Sequence, residues 1–385
     1  MKLIKNKKIA IIGEGHEWSA LPVSRELSKN NTLIAFLSES KSPSSYFSKF
    51  SKVVNIPPPS DKLFLKVLLY KLYKCKINCI ICLNEEMKYF IVSNKFLFKN
   101  FKSCLPNFES YKIALNKNTS IRFAEKSGIP IPKIYDRNDR KKLLDLFPTT
   151  IVVKGDRGVS SLNVQYVDSM EQLDAAYEMI TEIEESSTTV SSPPIIQQYV
   201  GGPTYLSQAL CYNGKVKSVV SHIKIREWPI TGGVTCMAKT IINQKLTDYT
   251  KKILEDLEWH GEAGIEWKYS KEKDEFYFVE INPRFEGSLD LTIKAGLNYP
   301  KILLCMIYDD ESSVTSMYKK NVYYRWFFRL DFKHFLNKNY GISKLIAESL
   351  NPKINGELSL DNVSVLKIMI KMFINTLIKY INNDK

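Results

Sequence analysis

The chain has 385 residues, 44% hydrophobic and 25% charged, long enough for two or three domains and too apolar to be disordered. Its net charge of +14 gathers at the ends: residues 1–110 carry 18 Lys and Arg against 8 Asp and Glu, and residues 311–385 carry 12 against 6. The near-neutral centre excludes a nucleic-acid groove through the middle, and most of the charge reads as a solvated Lys-rich surface.

Lys8 to Gly15 reads as a strand and a glycine turn, followed by a helix over 19–29 and a strand over 32–37, a βαβ opening. Gly13-x-Gly15 invites a dinucleotide reading, but Trp18 stands at the third glycine position, so a tight turn in an α/β domain fits better. A strand over 52–56, a helix over 61–74 and a strand over 77–83 continue the alternation and predict a parallel sheet. The seven Cys are scattered and odd in number, which predicts a reducing compartment. Cys75, Cys79 and Cys82 have an iron–sulfur spacing. A strand over 77–83 sends Cys79 and Cys82 to opposite faces, however, and favours buried thiols. The first apolar run is too short for a signal peptide, and none reaches the about 18 residues of a membrane span. A cytoplasmic protein is expected.

Around residue 106 the character changes. A helix ends at Gly128, before Ile129-Pro130-Ile131-Pro132. A strand over 151–154 then ends on Lys154 and runs into a Gly- and Ser-rich loop containing Ser160 and Ser161. Backbone N–H groups of such a loop can lie over phosphates that Lys154 neutralises. A hairpin turn explains the glycines but not a lysine in a buried strand. A helix over 170–184 and a linker over 186–194 follow. Strands over 205–211 and 215–221 are joined by Asn213-Gly214, a hairpin signal. Lys224 and Arg226 then share one strand face beside Gly232-Gly233, a loop able to close over an anion; a solvated face is the plain alternative.

After a helix over 247–258 comes Phe276-Tyr-Phe-Val-Glu-Ile-Asn-Pro-Arg284. This apolar run ends at Pro283 and Gly287, so it reads as a buried strand running into a turn. Alternation puts Glu280, Asn282 and Arg284 on one face. Hard oxygens beside a guanidinium suit a Mg²⁺-bound polyphosphate, with Arg284 toward the transferring phosphate. The alternative is a buried carboxylate paired with its own arginine. Helices over 288–295 and 300–307 complete this part.

Glu280-Ile-Asn-Pro-Arg284 resembles the metal-binding strand of ATP-grasp enzymes, in particular the carbamoyl phosphate synthetase-like, carboxylate–amine ligase branch, with a single core. The resemblance covers about residues 8 to 308. It implies that Glu266, on the preceding strand, is the other metal carboxylate beside Glu280 and Asn282, and that the cofactors are ATP with Mg²⁺ or Mn²⁺. Lys117 and Lys154 take phosphate positions, with Ser160 and Ser161 in the flexible loop. Backbone groups of Gln198, Tyr199 and Val200 form the adenine hinge. Arg226 lines the acyl-phosphate site, and Arg226, Arg284 and Lys154 are the expected catalytic cations. The chain departs from the family pattern at Asn116, Gln198 and Thr204, where acids are usual.

The implied fold is mixed α/β and α+β. A Rossmann-like pre-ATP-grasp domain spans 1–105, a small lobe 106–194 and a large lobe with the metal hairpin 195–310. A C-terminal helical extension covers 311–385. The implied reaction activates a carboxylate as an acyl-phosphate and joins it to an amine, in cell-surface glycan or peptide-like metabolite synthesis. A kinase or carboxylase-type enzyme and a nucleotide-binding regulatory protein without turnover remain alternatives. Ser364, Lys367, Lys371, Asn375 and Lys379 form one polar stripe on an otherwise apolar helix over 363–381. Such a helix packs into the body, forms a homodimer interface, or seats peripherally on the inner membrane face.

Overall fold

A computed structural model describes residues 5–13, 18–37, 50–156, 163–185, 192–230, 232–310, 315–337, 342–356, 370 and 374. The Gly15 turn, the Ser160–Ser161 loop and nearly all of the 363–381 helix lie outside these residues. Among the described residues no helix is long and apolar enough to cross a membrane.

The chain opens with strands β1 (Lys8–Gly13), β2 (Thr32–Leu37), β3 (Ser51–Asn55) and β4 (Cys79–Cys82). They form an all-parallel sheet in the order β3-β2-β1-β4. Parallel strands need coverage on both faces, which accounts for the unbroken apolar run Ile9–Ile12. Helix Ala20–Ser28 packs on one face with Ile9, Ile11 and Cys79, and helix Phe64–Lys74 on the other with Ala10, Ile12 and Cys82. Cys79 and Cys82 therefore face opposite ways, and all seven cysteines are free thiols. After β4, Asn84 caps helix Glu85–Ser93 by accepting from Met87 N at 2.9 Å. That cap sets Glu85 at the carboxyl end of the sheet, where α/β folds place their ligands.

The small sheet, in the order β5-β8-β6-β7, is antiparallel: β5 (Ile134–Tyr135), β6 (Ile151–Lys154), β7 (Val164–Val167) and β8 (Ile195–Gln198). Helix Met170–Glu185 covers it through Leu173 and Ile180, against Val153 and Ile196.

The large sheet comprises β9 (Thr204–Tyr212), β10 (Lys215–Trp228), β11 (Val234–Ile241), β12 (Gly261–Ser270), β13 (Glu275–Asn282), β14 (Tyr323–Arg325) and β15 (Ile354–Gly356), in the order β13-β12-β9-β10-β11-β14-β15. Asn213 and Gly214, with φ of 50° and 72°, make the tight β9–β10 turn expected of Asn-Gly. Helix Gln244–Asp256 covers one face through Leu246, Ile253 and Leu254, packed with Ala209 and Ile265. Leu210 and Val220 on the other face meet helix Tyr299–Ile307. The C-terminal extension is helical over Phe332–Asn337 and Ile342–Ser349, but it also supplies β14 and β15, which extend the sheet beyond β11.

Asp331 ties this extension down. It is 0% exposed, accepts a forked pair from Arg226 at 2.6 and 3.0 Å, and is also bonded to Arg325. Glu348 adds a 2.9 Å contact to Arg226. His334 Nδ1 donates to the Glu227 carbonyl at 3.0 Å.

Candidate active site

Strand β13 contains a one-residue bulge. Glu280 pairs with Glu266 and Phe278 with Trp267, so Val279 is the extra residue. Before the bulge Phe276 and Phe278 face the core under helix Gln244–Asp256; after it Ile281 does. The bulge shifts the alternation, and Glu280 and Asn282 turn to the opposite face. Unbroken alternation would have sent Glu280 into the core with the two phenylalanines. The sequence reading placed Glu280 and Asn282 correctly on one face but missed the device that lets an acid follow this apolar run.

Glu266 and Glu280 are thus direct cross-strand neighbours, a repulsive arrangement unless cations attend it. Lys117 Nζ lies 3.2 Å from Glu280, and Lys224 Nζ 2.9 Å from Glu266. Burial pushes the Glu280 carboxyl up, but Lys117 and then Lys154 outweigh it and hold it below its usual value. Burial wins at Glu266, whose pKa is raised despite Lys224. Burial, then Lys117, pushes Lys154 down to about 7. Lys154 Nζ donates to the Val279 carbonyl at 3.4 Å, so the bulge also joins the small sheet to the hairpin.

Lys117 opens helix Lys117–Lys126, whose cap is Asn116, accepting from Thr119 N at 2.8 Å. Asn116 also bonds to Asp156, which accepts from Asn118 N at 3.1 Å. The start of the glycine loop is thereby anchored to the helix that presents Lys117. Sequence reasoning gave Asp156 no role. Gln198, Tyr199 and Val200 line a cleft of about 330 Å³ with Gly201, Gly202, the turn 270–273 and Tyr277. Thr204 accepts from Lys268 at 2.8 Å.

The structure gathers Lys117, Lys154, Glu266 and Glu280, with Asn282 on their face. Arg226, expected at the acyl-phosphate, is instead engaged by Asp331 and Glu348; its neighbour Lys224 reaches Glu266. Arg284 donates to Glu85 at 2.7 Å, which brings the first sheet to the site. Glu286, which sequence reasoning missed, is buried 3.8 Å from Arg284, and burial pushes its pKa up to about 7. Its signal was an acid among apolar and glycine residues directly after the Arg284 motif. Among the described residues no group of three or more His, Cys, Asp or Glu converges as a metal site; the expected set has two carboxylates and an amide.

His222 lies on β10 two residues before Lys224, 0% exposed. Burial and then Lys224 push its pKa down to about 3, so it is neutral in the fold. Unfolded, it would titrate near the ordinary value of about 6.5. The unfolded chain then binds the extra proton between these values, and stability falls as pH drops from about 6.5 toward about 3. The slope from this group is at most about 1.4 kcal/mol per pH unit. Urea midpoints measured from pH 7 to pH 5 should decline less steeply for His222→Gln than for the natural chain. Parallel declines would show that His222 does not titrate on unfolding.

Residues 114–288 match the family model of the ATP-grasp domain. No curated protein sequence matches the chain significantly. Among solved structures it is similar to a Campylobacter jejuni biotin carboxylase, at 15% identity over 84% of this chain and 75% of that one, with a TM-score of 0.65. The biotin carboxylase domain of 2-oxoglutarate carboxylase from Hydrogenobacter thermophilus, crystallised with MgADP, ADP and bicarbonate, gives 13%, 82%, 73% and 0.63. An L-amino acid ligase from Bacillus licheniformis gives 16%, 81%, 78% and 0.60. At these identities the likeness establishes the ATP-grasp fold.

Proposed function

We propose that the chain is an ATP-dependent ligase that activates a carboxylate as an acyl-phosphate and joins it to an amine, releasing ADP and phosphate. The observation that carries this reading is the Glu266–Glu280 pair, opposed across β12 and β13 and attended by Lys117, Lys154 and Lys224. Two carboxylates with Asn282 are a hard-oxygen set suited to Mg²⁺, which when bound draws charge from the phosphates. Lys117 and Lys154 neutralise phosphate oxygens, and the cleft at Gln198–Gly202 takes the adenine. Arg284, held by Glu85, borders the transferring phosphate. None of these roles needs a nucleophilic side chain: the substrates bring the nucleophiles, and the protein orients them and stabilises charge.

A homodimer, a contact of residues 363–381 with an anionic membrane surface, and a cell-surface glycan or peptide-like product belong to the same reading and rest on sequence alone. A second reading, carboxylation with bicarbonate, draws on the carboxylase neighbours. ADP release, measured across a matrix of amino acids, sugar acids, short peptides and amines, separates the two. The ligase reading expects ADP only when acid and amine are both present, with the amide found by mass spectrometry. ADP release driven by bicarbonate without an amine would overturn it, and binding of ATP without release under any condition would favour a regulatory role.

A further inference from the structure

On the site face of the large sheet, three neighbouring strands present Gly264 (β12), Gln208 (β9) and His222 (β10). Gln208 pairs with Gly264 on one side and with Val220 on the other. His222 stands two residues beyond Val220, so alternation puts it on the face of Gln208. Glu286 lies over Gly264: a Cβ there would overlap its carboxylate. The glycine therefore makes room for the acid. Gln208 donates Nε2 to Ser288 Oγ at 3.0 Å, which ties it to the Glu286 loop.

These side chains are 2% (Gln208), 0% (His222) and 8% (Glu286) exposed. Among the described residues, Gln208 Oε1, Glu286 Oε1 and both ring nitrogens of His222 are buried and without a hydrogen-bond partner. Leaving such an atom without a partner is costly unless something completes it. Three residues in this condition, beside Glu266 and Lys224, mark a place built for a polar ligand group.

The unmet atoms identify that group. Two are carboxyl or amide oxygens, which accept, and a neutral imidazole offers one accepting nitrogen. Three acceptors match the three N–H donors of an ammonium. An anion such as bicarbonate would need donors; the cluster offers one imidazole N–H, and the nearby cations are already engaged, Arg284 by Glu85 and Lys224 by Glu266 and the Gly233 carbonyl. We infer that Glu286, Gln208 and His222 seat the primary amine of the acceptor substrate, bound as R–NH₃⁺. The seat rests on the ligase reading above and makes it specific, placing the amine two residues along β12 from Glu266. Glu286 supplies the countercharge, while Gln208 and His222 fix the direction of the C–N bond.

The experiment uses the full chain and three probes at constant ionic strength: methylammonium chloride, tetramethylammonium chloride and potassium bicarbonate. Melting temperature is followed against each, and MgADP affinity is measured separately by calorimetry. Methylammonium should raise the melting temperature saturably, and tetramethylammonium, which has no N–H, should not. Glu286→Gln and Gln208→Leu should each raise the half-saturating methylammonium concentration at least tenfold and leave MgADP affinity within twofold. Glu286→Gln is isosteric and carries the test if Gln208→Leu fails to fold. A response to bicarbonate in place of methylammonium, or variants that bind methylammonium unchanged, would overturn the amine seat. Loss of MgADP binding in the natural chain would instead sink the ligase reading, with the seat still decided by its own titration.

Discussion

Glu280→Gln should lower ATP turnover by a factor on the order of 10²–10³ while the chain still folds. The side chain keeps its shape and loses its charge. Lys117, 3.2 Å away, and Lys154, whose pKa Glu280 supports, both lose their countercharge. The set facing the phosphates loses one of its two carboxylates, and an amide is a poor replacement for a carboxylate on a hard divalent cation. ADP release at saturating substrates gives the turnover, and circular dichroism with thermal melting reports the fold. A variant that is folded and turns over ATP at near-normal rate would remove Glu280 from the site. Glu266→Gln should behave alike, since the two carboxylates are direct neighbours on β12 and β13.

Arg226→Ala should be the most destabilising single change here, by about 3–5 kcal/mol, because it strips a buried carboxylate of its main partner. Asp331 is 0% exposed and receives two of the three guanidinium hydrogen bonds of Arg226, the third going to Glu348. Arg325 alone would then face Asp331 and Glu348. The double variant Arg226→Met with Asp331→Leu should recover most of the loss, since removing a buried pair together costs far less than breaking it. Urea denaturation of the natural chain, both single variants and the double closes the cycle. The alternative, Arg226 as a clamp on the acyl-phosphate, expects near-normal stability with slow product formation. That result would mean the Asp331 contact contributes little and the arginine acts on substrate.

Much of the fold was legible because its signals are local. The apolar runs of the first sheet, Asn213-Gly214 and the stops at Gly128 and Gly296 each fix a nearby element. The pairing of Glu266 with Glu280 was legible because a hairpin keeps partners close in sequence. What was not legible joins distant residues. Arg284 meets Glu85 across 199 positions, and Arg226 meets Asp331 across 105; no periodicity encodes either. Helix Glu85–Ser93 was readable in principle, since Asn84 before two acids is a helix-start signal. The strands β14 and β15 are three residues each, too short for alternation to register. Glu286 was hidden by its own motif, where Arg284 had already accounted for the charge.

The bulge at Val279 has a bearing on how such a strand is recognised. Core-facing positions fall at 276, 278 and 281, a step of two and then a step of three. The longer step is the written trace of the inserted residue, and the acid sits immediately before the apolar residue that closes it. A search for letters alone treats Glu-Ile-Asn-Pro-Arg as a word that could begin anywhere on a strand. The hitch in the rhythm of the preceding side chains says which way that word faces, and it does so from one chain, without a second sequence for comparison.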